Sequence, residues 1–176
     1  MALLPSLSTP LADALTAPKQ TFTGPDGQFD VREGYWSAPA VVAPAMRAEA
    51  VIALAAYDRM MRPASLRTVA PWLVRLGIAA AGSLGQDEAQ AKVQALACDL
   101  CEEYPEGVFT DETRRKVARA CKWFPSYAEL AEILDRQTKA LKTRHGRLRV
   151  LAEEPRSEPS RTAAVVTAAI RPMPGA

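Results

Sequence analysis

The placement of proline divides this chain into two parts with different folding options. Six of the fourteen prolines lie within residues 1–44, at positions 5, 10, 18, 25, 39 and 44. Because proline lacks a backbone N–H and its ring clashes with the preceding helical turn, no helix of useful length fits between them. Residues 1–45 are therefore predicted to form a proline-rich arm, and the predicted helices lie in the chain that follows.

One segment of the arm has a hairpin pattern. Two short runs that contain Phe22 and Phe29 flank the sequence Gly-Pro-Asp-Gly at 24–27, in which proline pre-sets φ and glycine tolerates positive φ. The pattern permits a short hairpin at 21–31, although a lone hairpin is marginal in water. Tyr35 and Trp36 follow, and two interpretations stay open: they hold the arm against the core, or they anchor a docking peptide.

Hydrophobic spacing in the rest of the chain predicts an all-α domain at residues 46–150. The chain is rich in Ala and only 6% aromatic, which favours helices because Ala loses no side-chain entropy in a helix. The prediction is a compact bundle of about four to five short helices, at 46–61, 66–81, 86–103, 110–122 and from Ser126 onward. Residues 151–176 lose this periodicity and are predicted to form a flexible C-terminal tail, and both flanking arms are predicted to be poorly packed. The C-terminal part of the chain is predicted to be basic, because residues 136–176 carry nine basic and three acidic side chains.

Several residues have predicted places within these helices. The side chains predicted to face the core from the first helix are Ala48, Val51, Ile52 and Ala55, with Tyr57 or Met61. Pro71 is predicted in the first turn of its helix, where proline is tolerated. Ser126 and Glu129 have the spacing of a capping box, and Phe124, just ahead of it, is predicted to be buried.

The residue types that carry chemistry are sparse. Cys98, Cys101, Cys121 and His145 add up to the four ligands of a structural zinc site, but their spacing is poor, and we expect no metal. His145 is instead expected to be a solvated side chain near a helix C-terminus. The sequence has neither a G-x-x-x-x-G-K-[ST] loop nor a G-x-G-x-x-G loop to hold phosphates. We therefore expect no cofactor, no small-molecule substrate and no catalytic residues, and interpret the chain as not an enzyme.

The composition and the first residues also predict the cellular location of the protein. No run of 18 apolar residues exists, so we expect no membrane partner. The first residues lack the basic region of a secretory signal, and three cysteines, an odd number, do not form a disulfide framework. A reducing cytoplasm, that of a bacterial host cell, is the predicted location.

Basic residues concentrate in two places. In the predicted 110–122 helix, Arg115, Arg119 and Lys122 fall on one side, opposite a side formed by Thr113, Val117 and Cys121. The second place is a run without an intervening acid, consisting of Arg136, Lys139, Lys142, Arg144, Arg147 and Arg149. Both are candidate binding surfaces for nucleic-acid phosphates or for an acidic protein, and the alternative for each is a solvated surface.

A resemblance suggests a more specific function. One helix ends at Tyr104-Pro105, a short helix follows, and Trp123-Phe124-Pro125-Ser126, with Glu129 and Leu130, opens the next helix. Over roughly residues 86–135 this arrangement resembles small phage and prophage replication proteins of the helicase loader/inhibitor-like group. The resemblance implies a helical protein without its own ATPase that binds a hexameric replicative helicase, with a flexible C-terminal segment contributing to the contact.

Two functional hypotheses follow. The first is a non-enzymatic adaptor or loader that binds a replicative DNA helicase during phage or prophage DNA replication. The alternative is a DNA-binding transcriptional regulator in which residues 86–122 form a helix-turn-helix-like unit. That alternative requires a recognition helix rich in Arg, Asn and Gln, and the 110–122 segment has arginines but neither amide residue.

Overall fold

Helices dominate the computed structural model, which describes residues 5–23, 29–79 and 86–153. The elements are α1 (Thr9–Ala14), β1 (Lys19–Thr23), β2 (Phe29–Glu33), α2 (Pro44–Met60), α3 (Leu66–Ala79), α4 (Gln86–Leu100), a 3-10 helix (Glu106–Val108), α5 (Asp111–Ala120) and α6 (Tyr127–Ala152). The predicted helical body is confirmed, with five α-helices between Pro44 and Ala152. One of them is not short, because α6 has 26 residues.

The longest helix, α6, packs along α2 and forms the centre of the body. Its buried leucines recur at helical spacing and are Leu130, Leu134, Leu141, Leu148 and Leu151. The predicted capping box starts this helix: Ser126 accepts from the backbone N–H of Glu129, and the Glu129 carboxylate accepts from the Ser126 backbone. This box satisfies backbone groups that the first helical turn otherwise leaves without partners.

The buried face of α2 differs from the predicted one. The face that packs against the core consists of Ala50, Ala53, Tyr57 and Met60. Val51 is 51% exposed and Ile52 is 74% exposed, so their predicted burial was wrong. The reason is that α2 carries apolar residues on nearly every side, and a helix of this kind has no periodicity that identifies its inner face.

Helix α3 brings the largest buried side chain into the core. Trp72 is fully buried, its indole N–H donates to the Thr110 carbonyl at 2.9 Å, and its ring meets the Phe109 ring edge-on at 5.4 Å. Pro71 lies inside α3 and not in its first turn, because the helix already begins at Leu66. Proline there removes one helical hydrogen bond, and its side chain lies on the exposed side of the helix.

The connection between α4 and α5 is largely buried from Tyr104 onward and pairs with the segment that follows α2. Helix α4 ends at Leu100, three residues before its predicted end, and Glu102 then adopts a positive φ of 67°. The Ala64 N–H donates to the Tyr104 carbonyl at 2.9 Å. Gly107 lies so close to α2 that an added Cβ would stand 2.7 Å from the Met60 Cβ, so glycine is the residue that fits.

Phe124 is partly buried and packs against the core, so only its predicted full burial was wrong. Residues 122–126 cross the surface between α5 and α6, and Trp123 there is 57% exposed. The Lys92 ammonium lies 5.4 Å from the centre of the Phe124 ring. Pro125 is buried, so of these two neighbours the proline is the one more fully enclosed.

Part of the proline-rich arm is packed against the body, in contrast to the prediction. Helix α1 buries Leu11 completely, and Leu15 follows it into the same core. The Trp36 indole N–H donates to the Ala14 carbonyl at 2.8 Å, whereas Tyr35 is 97% exposed. Of the two interpretations of these aromatics, the geometry of Trp36 fits the one in which it holds the arm against the core.

The strands of the predicted hairpin pair with each other, and the last helix extends past its predicted end. Strands β1 and β2 pair antiparallel, with Thr21 opposite Val31, so the hairpin is present, while its predicted turn lies outside the described residues. At the other end, α6 continues to Ala152 and buries Leu151, which moves the start of the tail beyond its predicted boundary. Residues 154–176 of the predicted tail lie outside the described part of the chain.

Candidate functional site

A groove with an excess of positive charge lies where α5 and α6 meet the N-terminal segment and the 3-10 helix. It has a volume of about 520 Å³. Its basic side chains are Lys116, Arg136, Lys139, Arg144 and Arg147. Its carboxylates are Glu33 and Glu112. We call this site the basic groove; its five cations outnumber its two carboxylates.

The helical repeat of α6 decides which members of the basic run reach the groove. Successive residues turn by about 100° around a helix axis, so positions 136, 139, 144 and 147 share one side. Lys142 and Arg149 lie on the other side of α6, and both are exposed. The run predicted as one basic surface is therefore split into two faces, and only one of them contributes to the groove.

Lys116 joins α5 to α6 at the mouth of the groove. Its ammonium lies 2.8 Å from the Glu112 carboxylate and donates to the Gln137 side-chain oxygen at 3.1 Å. The hydrogen bond and the charge of Lys116 hold the pKa of Glu112 below its ordinary value, with smaller contributions from Arg115 and Arg144. Glu112 therefore stays ionised at neutral pH and neutralises part of the charge of Lys116.

The other cations of the groove differ in how far they are already paired. Arg136 pairs with Glu132 one turn earlier on α6, and Arg147 donates to the Leu15 carbonyl at 2.6 Å. Arg144 reaches the Tyr57 hydroxyl only at a long 3.5 Å. Lys139 has no hydrogen bond or ion pair within residues 5–23, 29–79 and 86–153. Lys139 and Arg144 are thus the cations most available to a bound anion.

Core side chains and hydroxyls form the rest of the lining. Leu15, Val108 and Leu141 lie at the floor of the groove and are buried. Thr110 and Thr113 line it as well, and their hydroxyls lie 3.1 Å apart, at the start of α5.

The second predicted basic surface lies outside the groove. Arg115 and Arg119 are exposed on the outer face of α5, opposite the buried Thr113 and Val117, as the pattern predicted. Lys122 lies just beyond the end of α5, with its ammonium 5.4 Å from the centre of the Trp123 ring. These three cations form a separate exposed patch.

Several of the residues that carry the resemblance lie at the start of α6, where they support the fold. Ser126 and Glu129 form the capping box of α6, and Leu130 and Pro125 are buried beside it. Close by, the Tyr127 hydroxyl donates to the Glu103 carboxylate at 2.7 Å, which raises the pKa of Tyr127. None of the side chains of this motif lines the basic groove.

Among the described residues, the three cysteines and His145 do not form one cluster. Cys98 is exposed, the thiol of Cys101 lies 3.4 Å from the Ala64 carbonyl, and burial raises the pKa of the Cys121 thiol. His145 is only 17% exposed and lies 2.7 Å from the Asp58 carboxylate, so it links α6 to α2 and is not the solvated side chain that was predicted. Within the described ranges, no group of three or more His, Cys, Asp or Glu side chains is placed to hold a metal ion.

Two residues that matter most for the groove were not singled out from the sequence. Lys116 and Glu112 have the four-residue spacing of an ion pair on one helix, but that spacing does not reveal that they face α6. Tyr57, predicted as an alternative to Met61, is the buried residue of the two, yet nothing in the sequence connects its hydroxyl with Arg144.

Comparisons with family models, with curated proteins and with solved structures find no match to this chain. No helix of the described residues is long and apolar enough to cross a membrane.

Proposed function

We propose that this protein is a non-enzymatic adaptor that binds a replicative DNA helicase during phage or prophage DNA replication, in the cytoplasm of a bacterial host. Two features support the proposal. The segments around Tyr104-Pro105 and 123–130 resemble helicase loader/inhibitor-like proteins, and the basic groove is the observation that carries the binding function. Within the groove, Lys139 and Arg144 form no ion pair at contact distance with a carboxylate of the described ranges, and they favour an acidic partner surface.

The alternative, a helix-turn-helix-like regulator, has weaker support. Its favourable feature is the exposed patch of Arg115, Arg119 and Lys122. Recognition helices of that class contact bases through their N-terminal residues, but α5 begins with Asp111 and Glu112, which repel phosphates. The connection from Cys101 to Thr110 is also longer than the tight turn that joins the two helices of that motif.

Capture of the purified replicative helicase of the native host tests the proposal. We expect the wild-type protein to retain the helicase, and the double variant Lys139→Glu/Arg144→Glu to lose it. The matched control is Lys142→Glu/Arg149→Glu, which reverses the same charge on the other side of α6 and should bind like the wild type. The purified protein should also show no ATP turnover of its own.

Three results would count against the proposal. The first is that the wild-type protein fails to retain the helicase. The second is that both double variants retain it at wild-type strength. The third is that the groove variant loses affinity for duplex DNA in a salt-dependent titration while the helicase remains unbound, which favours the regulator.

A further inference from the structure

The hairpin formed by β1 and β2 is the most exposed part of the fold. All five residues of β1 are exposed, and Phe29 and Val31 of β2 are 75% and 57% exposed. Within the described ranges its sheet has two strands, so each strand has one unpaired edge. A two-stranded hairpin alone is marginally stable in water, whereas a sheet of three or more strands can be stable. The hairpin would therefore gain stability from a further strand.

The register of the hairpin shows which backbone groups of β2 face its open edge. Just beyond the paired strands, the Gly34 N–H donates to the Pro18 carbonyl at 2.7 Å, so Gly34 points toward the β1 side. In an antiparallel ladder, residues that bond across the pair alternate with residues whose backbone groups point away. The backbone N–H and C=O groups of Phe29, Val31 and Glu33 therefore face the outer edge of β2.

We propose that two copies of this chain dimerise by pairing the outer edges of their β2 strands, antiparallel and centred on Val31. The contact is isologous, because both copies use the same edge. The two hairpins then form one four-stranded sheet with the strand order β1-β2-β2-β1, in which the outward N–H and C=O groups of the two copies bond to each other. Dimerisation of this kind goes beyond the helicase contact proposed above and does not depend on it.

The order of charges along β2 selects this register. The sequence of β2 is Phe-Asp-Val-Arg-Glu, with an acid directly before Val31 and a base directly after it. When two such strands run antiparallel about Val31, Asp30 of each copy lies opposite Arg32 of the other. Centring the pair on Asp30 or on Arg32 would instead place like charges opposite each other, which is destabilising. The register centred on Val31 also brings the two exposed valines side by side at the two-fold axis.

The outer edge of β1 lacks this complementarity. Its sequence is Lys-Gln-Thr-Phe-Thr, in which Lys19 is the one charged residue. An antiparallel pair of β1 strands centred on Thr21 places Lys19 opposite Thr23 and forms no pair of opposite charges. Because cross-strand pairs of opposite charge stabilise a sheet, self-pairing favours the β2 edge.

Sedimentation velocity of the full-length protein over a range of concentrations tests the inference. We expect a concentration-dependent dimer, and a weak one, because a pair of five-residue strands makes a smaller contact than a standard interface. Asp30→Arg and Arg32→Asp should each raise the dissociation constant at least about tenfold, since each turns both opposite-charge pairs into like-charge pairs. Lys142→Glu on α6, which changes the net charge by as much as Arg32→Asp does, should leave the dimer unchanged.

A mixture of the two single variants separates pairing between copies from an effect inside one hairpin. Combining Asp30→Arg with Arg32→Asp in equal amounts restores opposite charges at both cross-strand positions of a mixed dimer. The mixture should therefore associate with about wild-type affinity, although each variant alone associates more weakly. Matching circular dichroism spectra check that both variants fold.

The inference is overturned if the wild-type protein stays monomeric up to about 1 mM, a concentration at which even millimolar dissociation constants give measurable dimer. A dimer that both single variants retain at wild-type strength also overturns it, because the contact then lies elsewhere. So does a mixture that associates no more than its components do. Helicase capture is measured separately, so failure of the dimer leaves the proposed function standing, and loss of helicase capture leaves the dimer standing.

Discussion

At the scale of single residues, two glycines have opposite surroundings and give a matched pair of tests. A Cβ on Gly107 would meet the Met60 Cβ at 2.7 Å and the Leu141 Cδ2 at 3.1 Å. Gly146, in contrast, lies within α6 with nothing within 4 Å of an added Cβ. Gly107 therefore marks a close approach of the 3-10 helix to the core, whereas Gly146 is a helical position that any side chain could fill.

We predict that Gly107→Ala lowers the free energy of unfolding by about 1–3 kcal/mol, because the added methyl group overpacks the core. Gly146→Ala should raise it by about 0.5–1 kcal/mol, because alanine has the better helix propensity. Urea titrations followed by circular dichroism measure both changes. Changes of the same sign would contradict the packing described around Gly107.

Phe124 shows why burial of a single residue is hard to predict. A hydrophobic residue directly before the N-cap often packs against the first turns of a helix, and here that position belongs to Pro125, one residue after Phe124. In the structure, the neighbouring Pro125 is buried, and Phe124 remains partly exposed under Lys92. The local signal located the start of α6 correctly but did not determine which side chain would enter the core.

At the scale of secondary structure elements, the capping box of α6 makes stability depend on pH. Hydrogen bonds from the backbone and the side chain of Ser126 hold the pKa of Glu129 below its ordinary value. The folded state therefore binds the Glu129 proton less readily than the unfolded chain does. The stabilisation that ionised Glu129 contributes is complete above the ordinary carboxylate pKa. It is lost as the pH falls through the lowered pKa that Glu129 has in the folded state.

We predict that Ser126→Ala reduces the free energy of unfolding by about 1 kcal/mol at neutral pH, the usual effect of losing a helix N-cap. Ser126→Thr, which retains the hydroxyl at the cap, should recover most of this loss. Glu129→Gln should reduce the drop in Tm between neutral and acidic pH, because it removes the titrating group. A variant series in which Ser126→Thr is no better than Ser126→Ala would exclude the capping interaction as the cause.

At the scale of the whole molecule, the N-terminal segment is part of the folded unit. Leu11 and Leu15 are buried in the main core, and Glu49 of α2 accepts hydrogen bonds from the backbone and the hydroxyl of Ser8. Arg147 contacts the same segment twice, through the Leu15 carbonyl and through the Trp36 ring at 5.4 Å. The segment thereby forms one wall of the basic groove.

We predict that Leu11→Ala lowers the free energy of unfolding by about 2–5 kcal/mol, as for other leucines truncated in a core. Val41→Ala, at a side chain that is 84% exposed, is the control and should change it by less than about 0.5 kcal/mol. Thermal and urea unfolding of both variants provide the measurement. A poorly packed arm, as the prolines alone suggest, would instead make both substitutions neutral.

The sequence by itself determined the helical character of the body, the capping box at Ser126 and the inner and outer faces of α5. These features depend on neighbours within a few positions, where propensity, capping and periodicity act directly. Only the tertiary structure decided which face of α2 is buried, because that helix is apolar on nearly all sides. The basic groove likewise exists only in the tertiary structure. Lys116 comes from α5, the other cations come from one side of α6, and Glu33 comes from the distant hairpin.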